Sequence, residues 1–281
     1  MKRWNTVAIV GVGLIGGSIG LALRKRGLAG RVIGIGRRTA SLQKAKRRET
    51  VDTTTTNVER GVAEADVVVV CTPVSTIVDV VECAAEHSPE SSVITDAGST
   101  KGRIVERIEK SCAASLAFVG SHPLAGGEKH GPEHAREDLL DGRLVIVTPT
   151  DHTPAAALKT VETFWKSLGA RVLRMSPQDH DAAVAEISHL PHLVASALAA
   201  MTAEEHLPLA ASGWRDTTRV AAGDVELWEQ IIDENRGHVL KSLDKFAKVL
   251  VELRAAVKSG DQARLVEILQ AGKRARDAVG S

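Results

Sequence analysis

Two short stretches carry side chains able to move a proton. Residues 118–131 read FVGSHPLAGGEKHG and residues 96–101 read DAGSTK. In each, an apolar or β-branched run stops abruptly at polar residues, at His122 in the first and Ser99 in the second. An imidazole titrates near neutrality, so it can accept a proton or hold one in a hydrogen bond. A serine hydroxyl can orient such a ring. On residue type alone, a lone histidine at a strand end is more often structural than catalytic.

Such residues need elements that hold them. Thr6 to Val10, Val32 to Ile35, Asp66 to Cys71, Ser92 to Thr95, Ala117 to Val119 and Leu144 to Val147 are short, β-branched runs. Near-continuous apolar runs of this length suit parallel strands covered on both faces. Helical patterns lie between them, at Gly16 to Arg26, Ser75 to Glu86, Gly102 to Cys112 and Pro154 to Leu168. The alternation predicts an α/β fold, a doubly wound sheet whose chemistry gathers beyond the carboxyl ends of the strands. His122 and Ser99 both sit at such ends. After about Arg174 the pattern turns helical, over Asp179 to Glu205, Leu227 to Ser259 and Gln262 to Val279. Two domains are therefore expected, 1–174 and 175–281, in line with the length of 281 residues.

The first strand runs into GVGLIGGSIG. Gly11, Gly13 and Gly16 form GxGxxG between a strand and a helix. There the glycines allow the tight turn, the approach of a pyrophosphate and the packing of helix on strand. The helix N-terminus then faces the phosphates. Leu14 and Ile15 at the start of that helix, and Thr72 after a later strand, complete the expected dinucleotide contacts. The second strand ends GIGRR. Where an acid would bind the ribose hydroxyls of NAD, this chain has Gly36, followed by Arg37 and Arg38. With no carboxylate to repel a 2′-phosphate and two guanidinium groups beside it, NADP is the expected preference, with NAD possible.

In the helical half, His189 and His192 are three residues apart, on one helix face. A metal would need a third ligand, and Glu186 is unconvincing, so none is expected. Asp216 and Arg219 in RDTTR are also three apart. Charge balances at +1, which gives no electrostatic reason for nucleic acid or an anionic membrane. No apolar run is expected to reach the length needed to span a bilayer. Cys71, Cys83 and Cys112 lack disulfide or metal spacing, which fits a reducing cytoplasm; Cys71 and Cys83 are expected in the core.

SHPLAGGEKHG, the upstream DAGSTK, ISHLPHLVASAL and GWRDTTRVAAGDVELW occur together in this order, and the chain thereby resembles the prephenate/arogenate dehydrogenase family from Val7 to about Lys258. The resemblance implies an N-terminal Rossmann domain followed by an all-α dimerisation domain, and hence a homodimer. It implies oxidative decarboxylation of a cyclohexadienyl acid in tyrosine biosynthesis, with hydride transfer to NAD(P). His122 would take the proton of the 4-hydroxyl, and Ser99 would bond that hydroxyl or the histidine. Arg219 would bind a substrate carboxylate in a buried setting, oriented by Asp216. His192 would face substrate, Glu128 would gate the pocket, and Trp228 would line the pocket or the dimer contact. Two alternatives remain at this level. A β-hydroxyacid dehydrogenase would need a lysine in the first helix of the second domain, and Asp179 to Glu205 has none. A dinucleotide-sensing module would lack turnover.

Overall fold

The computed structural model describes residues 4–111, 118–127 and 131–280; Cys112, Ala117 and Glu128 lie outside the described residues. Among these, eight strands form one sheet: β1 (Trp4–Val10), β2 (Ala29–Ile35), β3 (Thr53–Thr55), β4 (Val67–Val70), β5 (Val93–Asp96), β6 (Phe118–Pro123), β7 (Leu144–Thr148) and β8 (Arg171–Arg174). Their order is 3-2-1-4-5-6-7-8. All neighbours pair in parallel except β6 with β7. The ends of β1, β4, β5 and β6 therefore share one carboxyl edge.

Helices α1 (Leu14–Lys25), α2 (Thr39–Arg47), α3 (Val58–Val62), α4 (Ile77–His87), α5 (Gly102–Glu109) and α6 (Ala155–Ser167) connect the strands. The unbroken valine run of β4 follows from burial on both faces. Val67 and Val69 join a core with α1 and with Phe164 and Trp165 of α6. Val68 and Val70 join a second core with Ile77 and Val81 of α4 and Ile104 of α5. Removing each such side chain from water contributes about 1.5–3 kcal/mol.

The remaining helices are α7 (Pro177–Ala200), α8 (Ser212–Thr218), α9 (Val225–Glu234), α10 (Arg236–Ser259) and α11 (Gln262–Val279). The chain forms two compact units, Met1–Asn235 and Arg236–Ser281. In the second, Arg264 of α11 pairs with Glu252 of α10 and with Glu267. Exposed apolar residues there include Leu240, Leu250, Val257 and Leu269.

Helix α7 corrects one expectation. By length and composition it is apolar enough to cross a membrane, with mean hydropathy 1.2 over its most apolar window. Yet its buried residues include His180, Asp181, His189 and His192. Ser176 caps it by accepting from the Asp179 amide, with Pro177 in the first turn. Over Ala185–His189 it widens into one π-helical turn. Pro191 explains the widening: it has no N–H for the carbonyl four residues back, and its ring crowds that carbonyl.

At the carboxyl edge, Asp96 and Lys101 form an ion pair with no solvent exposure on either side chain. Asp96 Oδ1 also accepts from the Ser121 amide at 2.9 Å, and Oδ2 from the Gly98 amide at 2.9 Å. Burial pushes the Lys101 ammonium pKa below its ordinary range, against the pull of Asp96. The pair thus joins the end of β5 to β6 and shapes the Asp96–Lys101 loop. Lys101→Met leaves a buried carboxylate without its cation and should lower unfolding free energy by about 3–5 kcal/mol. Urea denaturation reads this, and adding Asp96→Asn should recover much of the loss. A Lys101→Met loss under about 1 kcal/mol would show that the amides alone hold Asp96.

Candidate active site

The dinucleotide motif folds as its glycines require. Gly11 has φ +94°, and a Cβ there would lie 2.5 Å from the Cys71 carbonyl oxygen. A Cβ on Gly16 would lie 2.2 Å from the Gly11 carbonyl oxygen, so Gly16 seats α1 on the turn. A Cβ on Gly13 would meet nothing within 4 Å; this is the face open to a ligand. No side chain caps the N-terminus of α1, which leaves its amides for phosphate.

A cavity of about 530 Å³ opens beside this turn, lined by Gly11, Gly13, Arg37, Arg38, Leu42 and Thr72 among others. Leu14, Ile15 and Gly16 form the first turn of α1 behind it. Arg37 and Arg38 are exposed where β2 ends. Asp79 of α4 is the one carboxylate among the lining residues, so the ribose-binding acid is absent from the end of β2. The Thr72 hydroxyl is buried without a partner. Cys71 and Cys83 also line the cavity, each partly exposed; Cys71 packs against the core as expected, and Cys83 is not among the core residues. Burial pushes both thiols up in pKa.

His122 leaves β6 at the same carboxyl edge. Its ring does not bond Ser99, the residue expected to orient it. Its Nδ1 lies 2.8 Å from His180 Nε2, with the rings edge to face at 5.1 Å. His180 Nδ1 lies 2.8 Å from Asp181 Oδ1. That same oxygen accepts from the Lys101 amide at 2.8 Å, and Oδ2 accepts from the Gly102 amide at 2.8 Å. Asp181 of α7 thus caps α5 across the fold, where Lys101 at the cap position supplies no side-chain bond. Burial works to raise the Asp181 pKa, but the bonds from His180 and the two amides prevail and hold it below its usual value. His122 is driven well below 6.5, first by burial, then by His180, Lys101 and His189. A ring held neutral, able to accept a proton, results. Ser99 lies half-buried in the loop ending β5.

The π turn of α7 brings His189 and His192 to Trp228 of α9. His192 stacks on the indole at 3.6 Å and 10°, and His189 meets it edge-on at 6.0 Å. Gly223 makes room: a Cβ there would lie 2.5 Å from Trp228 Nε1. His192 Nδ1 is buried with no partner, and burial lowers its pKa. His189 is lowered to about 4, chiefly by burial. Its Nδ1 lies 3.2 Å from Asn235 Nδ2, which also donates to the Asp181 carbonyl at 2.7 Å. Inward-turned Asn235 is why the helix expected over Leu227–Ser259 is two.

Asp216 and Arg219 are exposed, where a buried fork of donors was expected. Thr218 is the buried residue of α8, so the RDTTR turn presents its charged side chains to solvent. Among the described residues no group of three His, Cys, Asp or Glu side chains could hold a metal. His180, Asp181 and Asn235 were missed by sequence reasoning. The dipeptide His180-Asp181, one turn into a predicted helix and buried, was the available signal for two of them.

The family profile for "Prephenate dehydrogenase, nucleotide-binding domain" matches residues 19–174, and that for its dimerization domain matches 176–271. The cyclohexadienyl dehydrogenase of Zymomonas mobilis is 33% identical over 99% of this chain and 97% of its own. The structure of the A. aeolicus prephenate dehydrogenase, in complex with hydroxyphenyl propionate and NAD+, superposes with a TM-score of 0.90 at 35% identity, covering 98% of both chains. That of the Synechocystis arogenate dehydrogenase gives 0.81 at 32% identity, covering 98% of this chain and 99% of that one. With both halves matched, and the nucleotide turn and His122 on one carboxyl edge of the sheet, the chain belongs to the prephenate dehydrogenase family.

Proposed function

We propose that this chain oxidatively decarboxylates a cyclohexadienyl acid, prephenate or arogenate, in tyrosine biosynthesis, with His122 as base. The observation that carries the reading is His122 at the same carboxyl edge as the dinucleotide turn, linked through His180 to the Asp181 carboxylate. When bound, the nicotinamide takes the hydride from ring C4. His122 accepts the 4-hydroxyl proton as the hydride leaves, and the C–C bond to the ring carboxylate breaks, releasing CO2 and leaving an aromatic ring. His122 is then placed to return the proton to the phenolic oxygen. Ser99 bonds the same hydroxyl, which fits a side chain not bonded to the histidine. His192 offers its unpartnered Nδ1 to the substrate, and Trp228 backs it. Arg219 binds a substrate carboxylate with Asp216 beside it, and Glu128 gates the pocket. Residues 1–174 serve the dinucleotide, and 175–281 serve substrate and a homodimer, a reading supported by the dimerization profile and the apolar residues exposed on α10 and α11.

His122→Asn should lower kcat by about 10² to 10⁴ while dinucleotide affinity holds; retention of a third of wild-type kcat would remove His122 from the base role. Because protonation inactivates the base and its pKa is lowered, kcat/KM should stay level through neutrality and fall only below pH 6.5. Arg219→Ala should raise substrate KM and spare cofactor KM, because the guanidinium is proposed to bind the substrate carboxylate and not the dinucleotide. An unchanged substrate KM would place Arg219 outside the pocket.

The cofactor is read as NADP in preference to NAD, on Gly36, Arg37 and Arg38 at the cleft. A hydrogen bond to a charged group contributes about 1.5–3 kcal/mol. Each 1.4 kcal/mol is about tenfold, so the expected preference in kcat/KM is about ten- to a hundredfold. Assays of prephenate and of arogenate, each with NAD and NADP, read cofactor and substrate choice together. Arg37→Ala should reduce NADP use and leave NAD use nearly unchanged. Equal or better turnover with NAD would defeat the phosphate reading and leave the dehydrogenase standing. No turnover of either acid would count against the activity itself.

A further inference from the structure

A base must present a lone pair, and a neutral imidazole has only one. Which nitrogen of His122 carries the hydrogen therefore decides whether the ring can act. Three hydrogen bonds along one line settle it. The Asp181 carboxylate only accepts, so His180 Nδ1 is the donor of their 2.8 Å contact. In a His180 ring with one proton, Nε2 is then an acceptor. The 2.8 Å contact between that nitrogen and His122 Nδ1 must be filled by the hydrogen on His122. His122 Nε2 is left bare.

We propose that His180 and Asp181 are positioning residues that fix His122 with its hydrogen on Nδ1 and its lone pair on Nε2, facing the reacting hydroxyl. The proposal deepens the role given to His122 above and rests on that reading for its effect on rate. Asp181 is suited to end the line because it is itself immovable. Both oxygens are held by the Lys101 and Gly102 amides at the start of α5, where the helix dipole favours a negative charge. Its own backbone carbonyl is held by Asn235. His180 has no solvent exposure, so water does not compete for either ring nitrogen. When His122 takes the substrate proton, its Nδ1–H stays directed along the line toward the carboxylate, which steadies the imidazolium. The same logic operates where a buried aspartate orients a catalytic histidine through one bond; here a second imidazole spans the distance.

The test combines a direct reading of the ring with kinetics. Nitrogen NMR of histidine-labelled protein, with His122→Asn to assign the signals, reports which His122 nitrogen is protonated. Hydrogen on Nδ1 in the wild type is expected. His180→Leu removes the acceptor and should release that preference. It should lower kcat by about 10² to 10⁴ with dinucleotide affinity and substrate KM within a few-fold of wild type. His180→Gln offers a donor toward Asp181 and an acceptor toward His122, so it should keep the wild-type tautomer and at least ten times the kcat of His180→Leu. Hydrogen on Nε2 of His122 in the wild type would overturn the proposal, and would mean that a protonated His180 donates instead. So would a His180→Leu kcat within threefold of wild type, or a glutamine variant no better than leucine. If His180→Leu does not fold, the wild-type spectrum and the glutamine variant decide. If the wild type turns over neither acid, the functional reading fails while the NMR result still decides the tautomer.

Discussion

The carboxylate of Asp181 is the constraint on which the rest of the site depends. It arrives from α7, past the last strand, and lands on the first two amides of α5, directly after the loop that follows β5. A helix start that lacked its own cap is completed by a residue 79 and 80 positions away in sequence. The two parts gain from this differently. For α5, two orphan donors are satisfied in the interior, where an unpaired one costs about 1–3 kcal/mol. For α7, the contact fixes the depth and rotation of the helix against the sheet, and with it His180, His189 and His192.

Around that point some polar groups of the interior are fully bonded and others stay open. Asp96 spends its oxygens on Lys101, Gly98 and Ser121. The Ser121 hydroxyl meets Thr95 and accepts from the Trp165 indole. These bonds hold the backbone and side chain of Ser121, the residue before His122 on β6. Two of the open groups are the Thr72 hydroxyl and His192 Nδ1, both buried and unpartnered. A buried polar group without a partner is unfavourable unless something else completes it. One lies in the dinucleotide cleft and one against Trp228, on the two sides where cofactor and acid are proposed to bind.

The sheet was legible because its signal is strong: valine runs buried on both faces admit no other placement. The glycine motif was legible for the same reason, as only glycine fits Gly11 and Gly16. What escaped is informative. β3 is the polar run Thr53–Thr55 at the sheet edge, and β8 leaves Leu173 exposed, so neither carries an apolar pattern. α2 buries only Leu42 and Ala45. In the site, the resemblance led to His122 and the cleft led to Arg37. It did not lead to His180, Asp181 or Asn235, because their importance lies in whom they touch across the fold. A histidine next to an aspartate looks like a solvated helix start until the sheet buries it.

Relatives named for prephenate, for arogenate and for cyclohexadienyl acids in general stand at 35, 32 and 33% identity to this chain. Overall likeness therefore does not separate the substrates, and the arrangement of the site says why it should not. The two acids share the ring, the 4-hydroxyl and the ring carboxylate, and differ in a side-chain keto group against an amine. The network from Asp181 to His122 is proposed to serve the shared end, where proton and hydride leave. Discrimination must come from groups that reach the side chain at the far end of the ring. Asp216 and Arg219 of the RDTTR turn are exposed, unlike the buried histidines of α7. On the proposed roles, the chemistry common to both acids would fall to the hydrogen-bonded interior and the choice between them to this charged turn. The physical separation of the two tasks is set by α7, whose buried face belongs to the first and whose connection to α8 leads to the second.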